Sequence, residues 1–238
     1  MQLLTNSLLF TLGMALSNQI TMRYANHRRP RPMPHQFSGL LDHPWRRSYR
    51  DPVETLGLFG FSPGMVVLDL GCGTGLFTAE MARMVGATGT IHAVDLQQPL
   101  LDVAQQRIET AGVSAQVHFH HAAAYQLPLE PNSVDLAIVI ATLPQIPDRL
   151  RALREVRRVL KPEGRLAISE ELPDPAYVPP RSTRQWAEAA GFRYGGQSGG
   201  LFCYSQIFFS DKDPHIIEGE STVTAIVEEE VILSCAIK

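Results

Sequence analysis

Apolar positions along this chain fall into two alternating patterns. Short runs of aliphatic and β-branched residues at 65–70 (MVVLDL), 90–95 (TIHAVD), 117–121, 134–141 (VDLAIVIA) and 165–170 read as strands. The fourth is almost continuously apolar, as in a sheet covered on both faces. Between them the spacing turns helical. Phe77, Met81 and Val85 share a face before Gly86; Leu100, Ala104, Ile108 and Ala111 share one between Pro99 and Gly112. Leu150, Leu153, Val156 and Leu160 do the same after Asp148, and Lys161-Pro162-Glu163-Gly164 closes that segment. Upstream, Asp51, Pro52 and Glu54 form a capping box for a short helix that ends near Gly60. Downstream, a helix over 182–190 precedes strands at 192–195 and 201–209. Strand alternating with helix predicts an α/β fold: a doubly wound, mostly parallel seven-stranded sheet with an antiparallel C-terminal strand.

Composition adds limits. With 238 residues, 45% hydrophobic and 19% charged, the chain suits one globular domain with extensions, and its net charge of −3 gives no global attraction to nucleic acid. Cys72, Cys203 and Cys235 are scattered, which points away from a disulfide framework or zinc site and toward a reducing compartment. Residues 1–22 carry no charged side chain, and Arg23, Arg28, Arg29 and Arg31 follow in a proline-rich stretch. A signal peptide fits poorly, because no basic residue precedes the apolar run. A single membrane anchor fits better and keeps the bulk of the chain cytoplasmic, because the arginines follow the span. An amphipathic helix, packed on the domain or lying at a bilayer surface, is the alternative. The expected organisation is 1–33 as hydrophobic segment and linker, with Pro30, Pro32, Pro34 and Pro44 opposing helix; 34–210 as the domain; and 211–238 as an extension of strand-like composition.

The chemistry concentrates at VVLDLGCGTGLF, residues 66–77. Gly71, Gly73 and Gly75 let the backbone approach a ligand, and the next helix offers its N-terminal amides. A dinucleotide fingerprint needs a third glycine three residues after the second. Here the spacing is GxGxG and position 76 is Leu, which weighs against a nicotinamide-binding oxidoreductase. Asp95 ends the second strand, where an acid accepts hydrogen bonds from ribose hydroxyls.

These residues resemble class I S-adenosylmethionine-dependent methyltransferases. VVLDLGCGTGLF is similar to the family's first motif, HAVDLQQPLLDVAQQRI to its second-strand region, LPLEPNSVDLAIVIATL to its fourth and LREVRRVLKPEGRLAISE to its fifth. The resemblance spans about residues 50–209 and is nearest to the quinone and small-molecule branch. It implies a Rossmann-like methyltransferase sheet and S-adenosylmethionine as cofactor. Asp69, Gly71, Cys72, Gly73 and Gly75 would hold the amino-acid end, Asp95 the ribose, and Leu96 would pack on the adenine. Where the family carries an acid for the adenine amino group, this chain has Ala123, leaving the backbone of Ala124 or the side chain of Gln126.

The implied acceptor is a small, apolar molecule. A base is needed only for carbon or hydroxyl acceptors, and the rim offers Glu170, Glu171, Gln145, His35 and Tyr49. The sequence after the fourth strand, IATLPQIPD, lacks the Asn/Asp-Pro-Pro-aromatic motif of amide and exocyclic-amine methylation. Scattered cysteines disfavour arsenite as acceptor. His118, His120 and His121 read as core or edge histidines, and no metal site is expected. The alternative is a non-catalytic member of the fold that works through its extensions.

Overall fold

The structure, a computed structural model, describes residues 2–211, so the expectation for the C-terminal extension lies outside the described residues apart from Asp211. Seven strands form one sheet in the order β3-β2-β1-β4-β5-β7-β6. They are β1 (Val66–Leu70), β2 (Thr90–Asp95), β3 (Gln116–His121), β4 (Val134–Ile140), β5 (Leu160–Glu171), β6 (Arg193–Gly199) and β7 (Cys203–Phe209). β1 to β5 are parallel, and β7 runs antiparallel between β5 and β6. The expected sheet is therefore present.

Each face of the sheet has its own core. On one, α3 (Pro52–Gly57) and α4 (Leu76–Val85) bring Leu56, Phe77, Met81 and Val85 against Val67, Leu136 and Ile138. α5 (Gln98–Ala111) covers the β2–β3 end of the same face. On the other, α6 (Arg149–Val159) and α7 (Pro180–Ala189) press Leu153, Val156 and Ala187 onto Val139, Leu166, Ile168 and Phe208. Burying a side chain of this size stabilises by roughly 1.5–3 kcal/mol. The two helical stripes and the unbroken apolar strand in the sequence are thus three parts of one sandwich.

Several boundaries differ from expectation. Lys161-Pro162-Glu163-Gly164 does not close a helix ahead of the strand; α6 stops at Val159 and pairing begins at Leu160 opposite Val134. The four residues form an irregularity, after which Arg165 pairs with Leu136. The N-terminal helix α1 (Gln2–Arg28) runs through Arg23 and Arg28, which the proline content had suggested were linker. Pro44 opens a helix rather than opposing one: α2 (Pro44–Tyr49) has proline in its first turn, where no amide hydrogen is needed. Among the described residues no helix is long and apolar enough to cross a membrane, α1 included.

Residues 122–133, between β3 and β4, contain no helix. At that end of the sheet, opposite α5, His92, His118 and His120 share a face. His92 stacks on His118 with ring centroids 5.3 Å apart, and His92 Nδ1 lies 3.1 Å from His120 Nε2. One ring nitrogen donates and the other accepts, so the accepting nitrogen carries no proton. Burial, with the two neighbouring imidazoles, pulls His92 down to about 4. The native state therefore binds fewer protons than the unfolded chain between the ordinary histidine value and about 4, and this contribution to stability is lost as pH falls through that window. Urea unfolding of wild type and His92→Gln at pH 7.5 and 5 checks this: the stability advantage of wild type over the variant shrinks at pH 5.

Candidate active site

The carboxyl ends of the parallel strands make the functional rim. At the end of β1 the chain turns through Gly71, Gly73 and Gly75, with φ of 78°, 54° and 75°. The amides of Gly71 and Cys72 both donate to Val94 O, at 2.8 and 3.1 Å, which pins the loop to β2. A Cβ on Gly71 would stand 2.4 Å from the Thr142 hydroxyl, and one on Gly75 would stand 2.9 Å from the Ala104 Cβ of α5. Those two glycines serve the protein's own packing. A Cβ on Gly73 would stand 3.2 Å from the Leu41 side chain. Gly75 precedes α4 without a capping side chain, so the helix's first amides keep their partial positive charge.

Asp69 and Asp95 flank this loop. Asp69 is buried, and its Oδ2 accepts the Thr78 hydroxyl at 2.6 Å. Burial pushes its carboxyl up to about 7, against the pull of the Thr78 hydrogen bond, and Asp95 adds to the rise. Asp95, also buried, accepts the Gly73 amide at 3.0 Å on one oxygen and the Gln97 amide at 2.9 Å on the other, with lone-pair capacity left on both. Leu96 beside it is 53% exposed, an apolar surface at the rim. The Cys72 thiol is buried and its pKa pushed well up by burial, so its backbone is the functional part. The Ala122 amide donates to Asp95 O at 3.1 Å, which brings the following Ala123 and Ala124 to the same rim. Ala124 packs into the α6–α7 core, Ala123 is half-buried, and the Gln126 side chain is exposed.

The opposite half of the rim lies beyond β4 and β5. Ala141 occupies the left-handed region at φ 50°, a strained position for a residue with a Cβ. Its carbonyl accepts Gln145 Nε2 at 2.9 Å. Gln145 also approaches Asp174 Oδ2 at 3.5 Å, so it links the ends of the two strands. Glu170 and Glu171 are both buried. Glu171 is ion-paired to Arg46 at 2.7 Å and Arg50 at 3.4 Å, so its charge is already committed. Tyr49 packs edge-on against Trp45 and Phe202. Burial first, then Glu171, push its hydroxyl up to about 12, which disqualifies it as a base near neutrality. His35 is exposed, and its backbone amide is what engages the rim.

A strap from the N-terminal region lies across both halves. Gln97 Nε2 donates to Met33 O at 2.9 Å, and Gln97 Oε1 accepts the His35 amide at 3.1 Å. Gln145 Oε1 accepts the Met33 amide at 2.8 Å. Asp42 accepts the Thr74 hydroxyl at 3.1 Å and pairs with Arg107 at 2.6 Å. Residues 33–42 therefore bridge the loops after β1, β2 and β4. Sequence reasoning missed Asp42, Arg46, Arg50, Gln97 and Asp174. One signal was available: Asp42 is the only acid in the first 50 residues.

Fold and rim define an open α/β protein with a glycine loop, two acids and a capping strap over its switch point. Residues 68–168 match the family model of a methyltransferase domain. A ubiquinone/menaquinone biosynthesis C-methyltransferase from Vibrio cholerae is 36% identical over 134 residues, covering 56% of this chain and 49% of its own length. The homologue from Pasteurella multocida is 38% identical over 116 residues, covering 49% and 43%. The chain thus spans about half the length of the curated relatives it matches. A SAM-dependent methyltransferase from Aquifex aeolicus superposes with a TM-score of 0.70 at 27% identity, over 74% of this chain and 98% of that one. The [4+2]-cyclase SpnF superposes at 0.56 and 26% identity, over 63% and 58%. Residues 68–168 are thus similar to methyltransferase domains, and the fold is that of S-adenosylmethionine-dependent methyltransferases.

The donor set suits that cofactor. The uncapped α4 amides would suit its carboxylate, Asp69 its ammonium, Asp95 its ribose hydroxyls and Leu96 its adenine face. No side-chain acid stands at Ala123 for the adenine amino group. The glycine contacts carry their own prediction. An alanine in the left-handed region costs about 1–2 kcal/mol, and overpacking adds about 1–3 kcal/mol. Gly71→Ala and Gly75→Ala should pay both costs, whereas Gly73→Ala should pay mainly the first, because it meets only Leu41. Chemical denaturation of the three variants should rank Gly73→Ala as the mildest.

Proposed function

We propose that the protein transfers a methyl group from S-adenosylmethionine to a small acceptor held at the ends of β4 and β5. The observation that carries this reading is the division of one rim into two halves. The glycine loop with Asp69, Asp95 and Leu96 forms one, and Gln145, Glu170 and Asp174 the other, with residues 33–42 lying over both. When bound, S-adenosylmethionine supplies a methyl group made electrophilic by its sulfonium. The chain's task is then to align the acceptor and exclude water. The strap excludes water; Gln145, fixed by Ala141 and Asp174, sets the boundary between the two halves. Of the base candidates Glu170 alone is a buried acid without an ion pair among the described residues, so it is the group left to meet the acceptor in this reading.

The curated relatives named for ubiquinone and menaquinone biosynthesis support an apolar ring compound as acceptor. Such a molecule partitions into bilayers. The N-terminal helix exposes Phe10, Met14, Ile20 and Met22 ahead of Arg28, Arg29 and Arg31. Surface attachment to anionic lipid, rather than a span, is the form of membrane association this supports. A second reading, a member of the fold without catalysis, is favoured by Ala123. Calorimetry separates the two: the enzyme reading expects saturable heat with S-adenosylmethionine and none with NAD, and absence of heat at millimolar cofactor would overturn it.

Asp69 gives that binding a pH signature. An ammonium partner favours the ionised carboxylate, while burial holds the free site's pKa near 7. Affinity should therefore fall about tenfold per pH unit below 7 and level off above it. Asp69→Asn should bind more weakly and lose this slope, as read by titration between pH 5.5 and 8.5.

A further inference from the structure

Glu170, the penultimate residue of β5, has no exposed surface, and neither carboxyl oxygen has a hydrogen-bond partner. Around it stand guanidinium groups whose hydrogens are also unmet. Arg50, 3% exposed, spends Nη1 on the Glu170 carbonyl at 3.3 Å and turns Nε to Glu171 at 3.4 Å, while its Nη2 makes no hydrogen bond. Arg149 lies over the Trp186 ring at 4.5 Å and donates Nη2 to Pro144 O at 2.7 Å, leaving Nε without an acceptor. Buried polar groups are nearly always paired, so several orphans converging at one strand end mark a place where a ligand completes the set.

The signs of the charges say what that ligand is. Glu171 is neutralised by Arg46 and Arg50. Burial pushes Glu170 well above the usual carboxylate range, and Asp174 pushes it further, outweighing the opposite pull of Arg50 and Arg149. Asp174 itself is raised to about 6 by burial. What remains is a neutral carboxyl that can donate one hydrogen bond, beside Arg149, which has no ion pair among the described residues, and Arg50, whose Nε faces Glu171 at 3.4 Å while Nη2 makes no hydrogen bond.

We propose that this enclave receives an ionised acidic oxygen of the acceptor, a phenolate, enolate or carboxylate, held by Arg149 and Arg50 and by the protonated carboxyl of Glu170. The inference rests on the methyltransferase reading only in calling the ligand an acceptor. It narrows that reading, since a purely apolar molecule leaves the enclave unsatisfied. Arg149 and Tyr177 also line a cavity of about 20 Å³, closed by Arg23, Asn26 and His27 of α1. That volume holds about one water molecule.

The test uses full-length protein, with 4-nitrophenol as probe and 4-nitroanisole as the control lacking an ionisable oxygen. 4-Nitrophenol should bind at least about tenfold more tightly than 4-nitroanisole, as expected for hydrogen bonds to a charged group. Its bound spectrum should show the phenolate band at a pH where the free dye is mostly neutral. Arg149→Gln should weaken dye binding about tenfold and leave the control unchanged, while Glu170→Gln, which keeps a donor, should stay within about threefold. Equal binding of the two probes by wild type, a bound dye in its neutral form, or an Arg149→Gln variant with unchanged dye affinity would overturn the proposal. Titration of S-adenosylhomocysteine in the same preparations separates the two readings. Heat with it but no preference for the dye removes the enclave proposal alone; dye binding without that heat removes the methyltransferase reading and keeps the enclave.

Discussion

Glu171 is buried between two arginines that lie more than a hundred residues earlier in the chain, with Arg46 Nε 2.7 Å from one carboxylate oxygen. Buried ion pairs contribute little net stability, because desolvation offsets most of the attraction, but breaking one strands a charge in a low-dielectric interior. The cluster therefore works as a registration device. It fixes α2 against the end of β5, and α2 in turn sets where residues 33–42 cross the rim. Arg46 also donates to Leu41 O at 2.9 Å, so one guanidinium fastens both the helix and the strap that precedes it. Without that anchor the glycine loop and both acids would still exist, but as an open edge in water.

The fold was legible because its signals are local and periodic. Phe77, Met81 and Val85, spaced four apart, can share a face only on a helix, and VDLAIVIA suits a strand covered on both sides. Boundaries failed where two local rules conflicted. Lys161-Pro162-Glu163-Gly164 carries turn residues, yet Leu160 pairs with Val134 because β4 offers a free partner and the bulge absorbs the excess. The site was legible in half. Asp69, the glycines and Asp95 follow one another along β1 and β2, so spacing alone brings them to one rim. The partners of Glu171 and Gln145 come from a segment of arginines and prolines without periodicity, and no short-range rule joins residue 46 to residue 171.

The glycine loop also shows how two demands converge on one residue type. Positive φ angles permit the turn, but Thr142 and Ala104 fill the space that a Cβ would take at Gly71 and Gly75. A motif that reads as room for a ligand is, at two of its three positions, room for the protein itself. The middle glycine, facing Leu41, is where loop and strap meet.

The strap engages Gln97 and Gln145 through its backbone: the amide and carbonyl of Met33 and the amide of His35. Main-chain bonds are indifferent to the side chains they carry. The identities of residues 33 and 35 can therefore change without loosening the cover, because none of these bonds uses their side chains. In this architecture the closure of the rim and the side chains displayed by its cover are separately evolvable traits.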